Sequence, residues 1–391
     1  MPHIKVKPFD PTIVDAKIPH SELLQFRARS LNQRDELWGV TLENEPFLLQ
    51  VKYAPESVLI KYDKVTRPLK VNLLKEALSQ VATQLDLEVI ASNIAQHKQS
   101  RVASEYEKHI EDFYEITFPK EKVAVEVGFG SGRHLLYQAQ KHPDTLFIGL
   151  EIHTPSAQQV LKQIALQGLD NIWVVNYDAR LFLEMLPSNL LETIFVHFPV
   201  PWDKKPHRRV ISPTFLAESM RALRLGGRLE LRTDSDNYFW YALETFFGVP
   251  KTHVEVRKNE ALEVTSKYEA RWLRMEKDIY DVYVTALEES KPKAALPAFD
   301  FPEVTFHPSL IEKLPKKALV FEGYFVHIER LYLIGEQEAL LIKCSFGSFD
   351  RPEHKYILLD QKGCSYYASP PVRTSVNHKA HIKLTELLSH V

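Results

Sequence analysis

The chain has 391 residues, a length typical of two or three domains, and its 49 basic and 51 acidic residues leave a formal net charge of −2. Hydrophobic residues make up 45% of the chain and charged residues 26%, a globular composition that excludes a disordered or low-complexity protein. This balanced charge gives no sign of a nucleic-acid partner, which would need a local basic patch.

Cysteine content and hydropathy indicate the compartment. The two cysteines, Cys344 and Cys364, are too few for a disulfide framework and lack the spacing of a zinc site. No apolar run approaches the ~20 residues of a membrane helix, and the amino terminus has no signal-peptide pattern. We therefore expect a soluble cytoplasmic protein with no membrane partner.

Residues 1–118 predict an α+β region. Two apolar runs, residues 46–53 and 57–62, are typical of a strand pair, and residues 74–82 have the spacing of an amphipathic helix.

Residues 119–290 alternate short apolar runs with amphipathic stretches, which predicts an α/β domain with a parallel sheet. The strands are nearly all apolar, as expected where helices cover both faces of a sheet. The predicted strands are residues 123–127, 146–150, 172–175, 193–196 and 228–232, and the predicted helices are residues 133–140, 156–167 and 215–223.

Residues 291–391 predict a β-rich domain that follows a linker. The stretch 291–297 is rich in Pro and Lys, as linkers often are. Residues 318–328, 339–343 and 356–359 have strand character, and a helix is predicted over residues 380–388.

A glycine loop follows the first strand of the middle domain and opens its first helix. Gly128, Gly130 and Gly132 allow a tight turn and close approach of a ligand to backbone N–H groups. Glu151 ends the second strand, where it can accept hydrogen bonds from ribose hydroxyls, and Asp178 follows the third strand, within reach of an adenine. Asp178 is alternatively a helix N-cap. Together these groups match the arrangement that binds S-adenosylmethionine in methyltransferases.

The fourth strand runs into a loop that carries the missing basic patch. Basic side chains at strand ends beside a cofactor site can hold phosphates, and the neighbouring Phe198 and Trp202 can stack on a base. An ordinary solvated charge run is the alternative. The basic residues are Lys204, Lys205, His207, Arg208 and Arg209.

Four segments in order resemble the bacterial tRNA (guanine-N7-)-methyltransferases. Residues 198–204 resemble the family motif Phe-Pro-Asp-Pro-Trp-x-Lys, residues 125–132 its cofactor loop, residues 149–153 its ribose-binding strand end, and residues 264–269 its Thr-Lys-Phe-Glu motif. The resemblance covers about residues 120–290 and implies a Rossmann-like methyltransferase fold. The flanking regions have no counterpart in the compact members of the family.

The resemblance also implies roles for individual residues. The expected contacts of S-adenosylmethionine are Glu126, Glu151 and Asp178, with Gly128, Gly130 and Gly132 beneath it. The expected contacts of the RNA substrate are Lys204 and Asp234, and those of the target guanine are Ser266, Lys267, Tyr268 and Glu269. The basic patch itself adds Arg208 and Arg209 as expected substrate contacts. The candidate catalytic groups are Asp234, Glu269 and Asp203, and for Asp203 a solvated loop carboxylate with no role is the alternative. No metal is expected. Asp234 is alternatively the cap of a following helix.

One position departs from the family motif, because Val200 stands where the motif has an acid. Guanine N7 has a free lone pair and carries no proton, so alignment and a polar setting are what methyl transfer requires. The sequence therefore predicts an active enzyme that methylates N7 of a guanosine in tRNA, with the variable-loop guanosine implied by the resemblance. The alternatives are an RNA-binding protein that has lost catalysis, and a small-molecule methyltransferase that leaves the basic loop unused.

Overall fold

A computed structural model describes residues 2–32, 35–68, 71–94, 104–114, 116–261, 263, 277–302, 304–336, 338–349 and 351–389. The chain forms two compact units. Residues 102–295 form one, the central unit, and residues 1–101 together with 296–391 form the other, the terminal unit. The boundary at residues 295 and 296 falls inside the predicted linker.

The amino-terminal part of the terminal unit is an antiparallel sheet with a helix against its core. Strands β4 and β5 form the predicted hairpin, with Ala54 opposite Ser57. Alternate residues of β4, including Phe47 and Leu49, are buried in the core with α2, because side chains point to opposite faces along a strand. The elements are β1 (His3–Val6), α1 (Thr12–Lys17), β2 (Leu24–Ser30), β3 (Asp35–Leu42), β4 (Glu45–Ala54), β5 (Ser57–Tyr62), α2 (Val71–Gln84) and β6 (Val89–Ser92).

The central unit is the predicted α/β domain. Its elements are β7 (Glu107–Lys108), β8 (Lys122–Val127), α3 (Arg133–Lys141), β9 (Thr145–Leu150), α4 (Thr154–Gln167), β10 (Ile172–Val175), α5 (Ala179–Phe182), β11 (Leu191–His197), α6 (Pro213–Ala222), β12 (Leu223–Thr233), α7 (Asp236–Phe246), β13 (Thr252–Lys258) and β14 (Tyr280–Ala286). Short 3-10 turns in the two units span Ile18–His20, Ile110–Tyr114, Leu183–Met185 and Pro206–Arg208.

The sheet of the central unit has the order β13-β14-β12-β11-β8-β9-β10-β7. Pairing is parallel from β12 to β7 and antiparallel at β14 and β13, so the predicted fold class is confirmed. Strand β8 lies between β9 and β11, so successive βα connections run in opposite directions along the sheet from this strand. Open α/β sheets bind ligands at the carboxyl ends of the strands beside such a switch point.

The carboxyl-terminal part returns to the terminal unit. The predicted strand over residues 318–328 is divided by a turn in which Gly323 has a φ of +79°, and the predicted helix over residues 380–388 is longer than expected. The elements are α8 (Leu310–Lys313), β15 (Leu319–Phe321), β16 (Tyr324–Ile334), β17 (Ala339–Gly347), β18 (Pro352–Leu359), β19 (Cys364–Tyr367) and α9 (Ser375–Ser389).

The two ends of the chain share one sheet, of order β19-β18-β17-β16-β2-β3-β4-β5-β1-β6 with β15 on β16. Strands β16 and β2 join the halves, with Ile334 opposite Ala28, and a buried cluster on one face includes Ala28, Leu37, Tyr332 and Leu341 from both halves. The structure thus differs from the expected separate regions 1–118 and 291–391. The central unit also begins before residue 119, because β7 pairs with β10. No helix among the described residues is long and apolar enough to cross a membrane.

We predict that Glu329 in β16 makes the terminal unit sensitive to acid. Its carboxylate lies 3.0 Å from His354 Nδ1 and 3.0 Å from Lys343 Nζ, and the hydrogen bond with His354 is the largest effect that holds the pKa of Glu329 far below 4.5. Below about pH 4.5 the unfolded state binds a proton that the folded state does not, so stability falls as pH falls. In Glu329→Gln, the urea concentration at the midpoint of unfolding should therefore fall less between about pH 5 and pH 3 than it does in the wild type. The exposed Glu312 in α8 is the control, and an equal slope in Glu312→Gln and Glu329→Gln contradicts the prediction.

Candidate active site

The glycine loop lies at the carboxyl end of β8. Gly128, Gly130 and Gly132 have φ values of +70°, +54° and +73°, a left-handed conformation that favours glycine. A Cβ atom at Gly132 would lie 2.3 Å from Val160 Cγ2 in α4, whereas a Cβ at Gly128 or Gly130 would meet no atom of the described residues within 4 Å. Gly132 therefore allows close packing of the loop on α4, and the other two glycines border space that the described part of the chain leaves open to a ligand.

Glu151 lies against this loop. One carboxylate oxygen accepts a hydrogen bond from the Gly130 N–H at 2.9 Å, and the other accepts from the His153 N–H at 2.9 Å. Asn176, after β10, donates its amide to the Glu151 carbonyl and accepts from the Thr154 hydroxyl at 2.9 Å. Sequence reasoning missed Asn176, which supports Glu151 from the neighbouring strand end.

Asp178 is the N-cap of α5, so the capping alternative is confirmed. Its carboxylate accepts from the Arg180 N–H at 2.9 Å and from the Arg180 guanidinium at 2.7 Å. Both carboxylate oxygens are engaged by Arg180. A contact of Asp178 with adenine stays a prediction.

Glu126 belongs to a buried array of two carboxylate–histidine pairs. Glu126 is 3% exposed, and its Oε2 lies 2.8 Å from His134 Nδ1 in α3. The centres of the His134 and His197 rings are 4.5 Å apart, and His197 Nε2 lies 3.0 Å from Glu230 Oε1. Burial alone would raise the pKa of Glu230, but the hydrogen bond and charge of His197 bring that pKa below its ordinary value.

This array connects the strand that precedes the glycine loop with β11, whose last residue is His197. Buried charges are tolerated when they are paired, so the array holds these two strand ends at a defined position. Sequence reasoning assigned Glu126 to the cofactor and missed His134, His197 and Glu230. The available signal was the presence of Glu126, His197 and Glu230 as polar residues within nearly apolar strands.

Arg209 supports the basic loop from inside. It is 8% exposed, donates its Nε–H to the Pro201 carbonyl at 2.7 Å, and its guanidinium lies 4.4 Å from the centre of the Tyr241 ring. The loop also contains two residues with left-handed backbone, Phe198 at φ +49° and Trp202 at φ +47°. Arg209 was predicted to contact substrate, but the structure shows its guanidinium engaged within the protein.

The other four basic side chains of the loop are exposed: Lys204, Lys205, His207 and Arg208. The Arg208 guanidinium lies 5.2 Å from the centre of the Trp202 ring. Val200, at the position of the family's acid, is 60% exposed. Asp203 is also exposed and lies 3.5 Å from the Arg209 guanidinium. The loop thus presents positive charge and an aromatic ring to solvent.

Asp234 follows β12 and accepts a hydrogen bond from Lys277 Nζ at 2.9 Å. The N-cap of α7 is Ser235, whose hydroxyl accepts from the Tyr238 N–H, so the alternative that Asp234 caps this helix is wrong. The predicted guanine contacts Ser266, Lys267, Tyr268 and Glu269 lie outside the described residues.

Strand pairing brings the two loops together. Strands β8 and β11 are parallel neighbours, with Val127 opposite Val196, so the glycine loop and the basic loop leave the same edge of the sheet. Residues 120–282 match the model of a family described as "Putative methyltransferase". Fold, loop and family model together define the central unit as a methyltransferase domain.

Relatives extend the match to the terminal unit. A tRNA (guanine-N(7)-)-methyltransferase of Wolinella succinogenes is 40% identical over 92% of both chains. One of Campylobacter jejuni strain 81-176 is 38% identical over 99% of this chain and 98% of its own, and one of Helicobacter pylori strain J99 is 40% identical over 89% and 87%. The chain therefore belongs to the tRNA (guanine-N(7)-)-methyltransferase family. Among solved structures, the antibiotic-resistance methyltransferase Kmr aligns with 44% of this chain and 89% of its own at 20% identity and a TM-score of 0.34, too low a score to inform the fold.

We predict that Arg209→Lys destabilises the central unit and Arg208→Lys does not. A lysine cannot both donate to the Pro201 carbonyl and stack on Tyr241, so the free energy of unfolding should fall by about 1–3 kcal/mol. The exposed Arg208 is the matched control, with an expected change below about 0.5 kcal/mol. Urea denaturation followed by tryptophan fluorescence measures both. Equal stability of the two variants contradicts the supporting role of Arg209.

Proposed function

We propose that the protein transfers a methyl group from S-adenosylmethionine to N7 of a guanosine in the variable loop of tRNA. The observation that carries the proposal is the placement of the glycine loop, with the Glu151 carboxylate against it, on β8 next to the exposed basic loop on β11. The relatives that align over nearly the whole chain are named for methylation of guanine N7 in tRNA, which supports that part of the proposal.

The glycine loop fits a nucleoside cofactor. Among the residues that the structure describes, none fills the space beside Gly128 and Gly130, so the backbone can approach a ligand there. Two backbone N–H groups occupy one site on each oxygen of Glu151, and a carboxylate has about four acceptor sites. Glu151 can therefore still accept hydrogen bonds from ribose hydroxyls. S-adenosylmethionine supplies a methyl group already activated by a positively charged sulfur.

The basic loop fits an RNA substrate. Lys204, Lys205 and Arg208 are exposed, and cations in such positions bind phosphates and fix the register of the RNA without reading its sequence. Trp202 offers an aromatic ring on which a base can stack. The exposed side chains of the loop therefore bind the RNA, and Arg209 stabilises the conformation of the loop.

The residues of the site align the guanine and provide a polar setting. Guanine N7 attacks with its own lone pair, so no side chain has to remove a proton, and alignment is the main contribution of the protein. Val200 therefore leaves the reaction possible. Asp234, beside β12 and paired with Lys277, is a polar group at the same edge of the sheet, and we propose that it contacts the substrate.

Methylation of a defined transcript tests the function. The purified protein is incubated with an unmodified tRNA transcript and labelled S-adenosylmethionine, and the digested RNA is analysed for 7-methylguanosine. A transcript with adenosine at the variable-loop position is the control and should stay unlabelled. Binding of tRNA without transfer would support the RNA-binding alternative instead.

In the same assay we expect Asp203→Ala to keep substantial activity, because Asp203 is a solvated loop carboxylate. A fall to background would assign Asp203 the role of the missing acid.

We predict that Glu151→Gln weakens cofactor binding. The amide keeps one acceptor oxygen but loses the charge and half of the acceptor sites that serve the loop and the ribose, a loss of about 1.5–3 kcal/mol, or about tenfold or more in Kd. Isothermal calorimetry with S-adenosylhomocysteine measures the change. The control is Asp144→Asn, which removes an exposed carboxylate beside β9 at its amino end. Unchanged affinity in Glu151→Gln would count against this placement of the ribose.

A further inference from the structure

Four lysines lie on or beside the face of the terminal unit's sheet that is opposite α2. In the neighbouring strands β1, β5 and β4, Ile4, Ile60 and Val51 are buried in the core with α2, so the residues next to them point to the other face. These residues include Lys5, Lys61 and Lys52, and Lys64 follows the end of β5. We call these four residues the lysine face.

The strand register brings the lysines close together. Leu59 in β5 is opposite both Lys5 in β1 and Lys52 in β4. Lys61 lies two residues further along β5, on the same face. Neighbouring strands are about 4.8 Å apart, so Lys5 and Lys52 lie on either side of the strand that carries Lys61.

The positive charges of the lysine face are offset only weakly by nearby acids. Its four ammonium groups make no ion pair within the part of the chain that the structure describes, in contrast to Lys7, whose Nζ lies 2.6 Å from Glu88. Burial and the charges of Lys52 and Lys64 lower the pKa of Lys61, and the nearby charge of Asp63 opposes this repulsion only in part. An anionic partner would relieve this repulsion.

The nearby acids are engaged elsewhere. Asp35 is opposite Lys52 in register, but it is buried and its Oδ2 lies 2.8 Å from the Arg330 guanidinium. Asp63 is also buried; its Oδ1 accepts from the Val65 N–H and its Oδ2 from the Tyr356 hydroxyl at 3.1 Å. Neither carboxylate forms an ion pair with these lysines, and the charge of Asp63 offsets that of Lys61 only in part, so the lysine face stays positive.

We propose that the lysine face binds the phosphate backbone of the tRNA substrate. The inference rests on the proposed function. Lysines spread over three strands of an open sheet match a polyanion, because several phosphates can each displace counterions at once. A small anion would instead need a concave site with converging donors. A tRNA extends well beyond the base that is methylated, so a second surface of the protein can contact it. The relatives align over the terminal unit as well as the central unit.

The test compares two variants of the full chain that lose the same charge. K5Q/K52Q/K61Q/K64Q removes the lysine face, and K313Q/K316Q/K317Q/K362Q removes four exposed lysines elsewhere in the terminal unit. The Kd for a tRNA transcript is measured against salt concentration. We expect the first variant to bind about tenfold more weakly at low salt, with a slope of log K against log salt that is smaller by about 3. The control variant should keep the wild-type slope.

Two further measurements keep the result interpretable. The kcat at saturating tRNA should be unchanged in the first variant, since these residues lie outside the central unit. K5Q/K52Q/K64Q, which leaves the half-buried Lys61 in place, repeats the test if the fourfold variant is less stable. Equal slopes in the lysine-face and control variants, or competition by polyglutamate as strong as that by tRNA, would overturn the proposal. Binding is measured without methylation, so failure of the wild type to methylate tRNA would be a separate result that contradicts the proposed function.

Discussion

The parallel pairing of β8 with β9 on one side and β11 on the other is the constraint on which the site depends. Parallel neighbours end at the same edge, so three loops that are far apart in the sequence meet there. The glycine loop follows β8, the acid Glu151 follows β9, and the basic loop follows β11. One hydrogen bond, from the Gly130 N–H to the Glu151 carboxylate, then closes the first two of these into a single unit.

Polar groups inside the central unit maintain this edge. The pairs Glu126–His134 and His197–Glu230 lie in contact between β8, α3, β11 and β12. A buried charge is costly without a partner, so each carboxylate restricts the position of its histidine. These polar pairs, in addition to apolar packing, fix the relative position of the strands that carry the glycine loop and the basic loop.

Two neighbouring arginines of the basic loop differ in role. Arg208 and Arg209 are adjacent in sequence, yet Arg208 faces solvent beside Trp202 whereas Arg209 is enclosed by Pro201 and Tyr241. A run of basic residues therefore contains both groups that can bind an anion and a group that shapes the loop. The terminal unit shows a similar difference among its lysines, because Lys5, Lys52 and Lys61 share one face of the sheet without an ion pair to any described residue, whereas Lys7 is paired with Glu88.

The sequence by itself determined the local elements and the family. Apolar runs predicted β10 to the residue and β8, β9 and β11 closely, because a strand covered on both faces needs continuous apolar side chains. The glycine loop, Glu151 and the motif around Trp202 were recognisable because each depends on residue types at short spacing. Only the tertiary structure decided that β16 pairs with β2, that Arg209 is buried, that Ser235 rather than Asp234 caps α7, and that lysines of three strands share one face. These features arise from contacts between residues distant in the chain, or from side-chain directions set by packing, and neither leaves a local pattern.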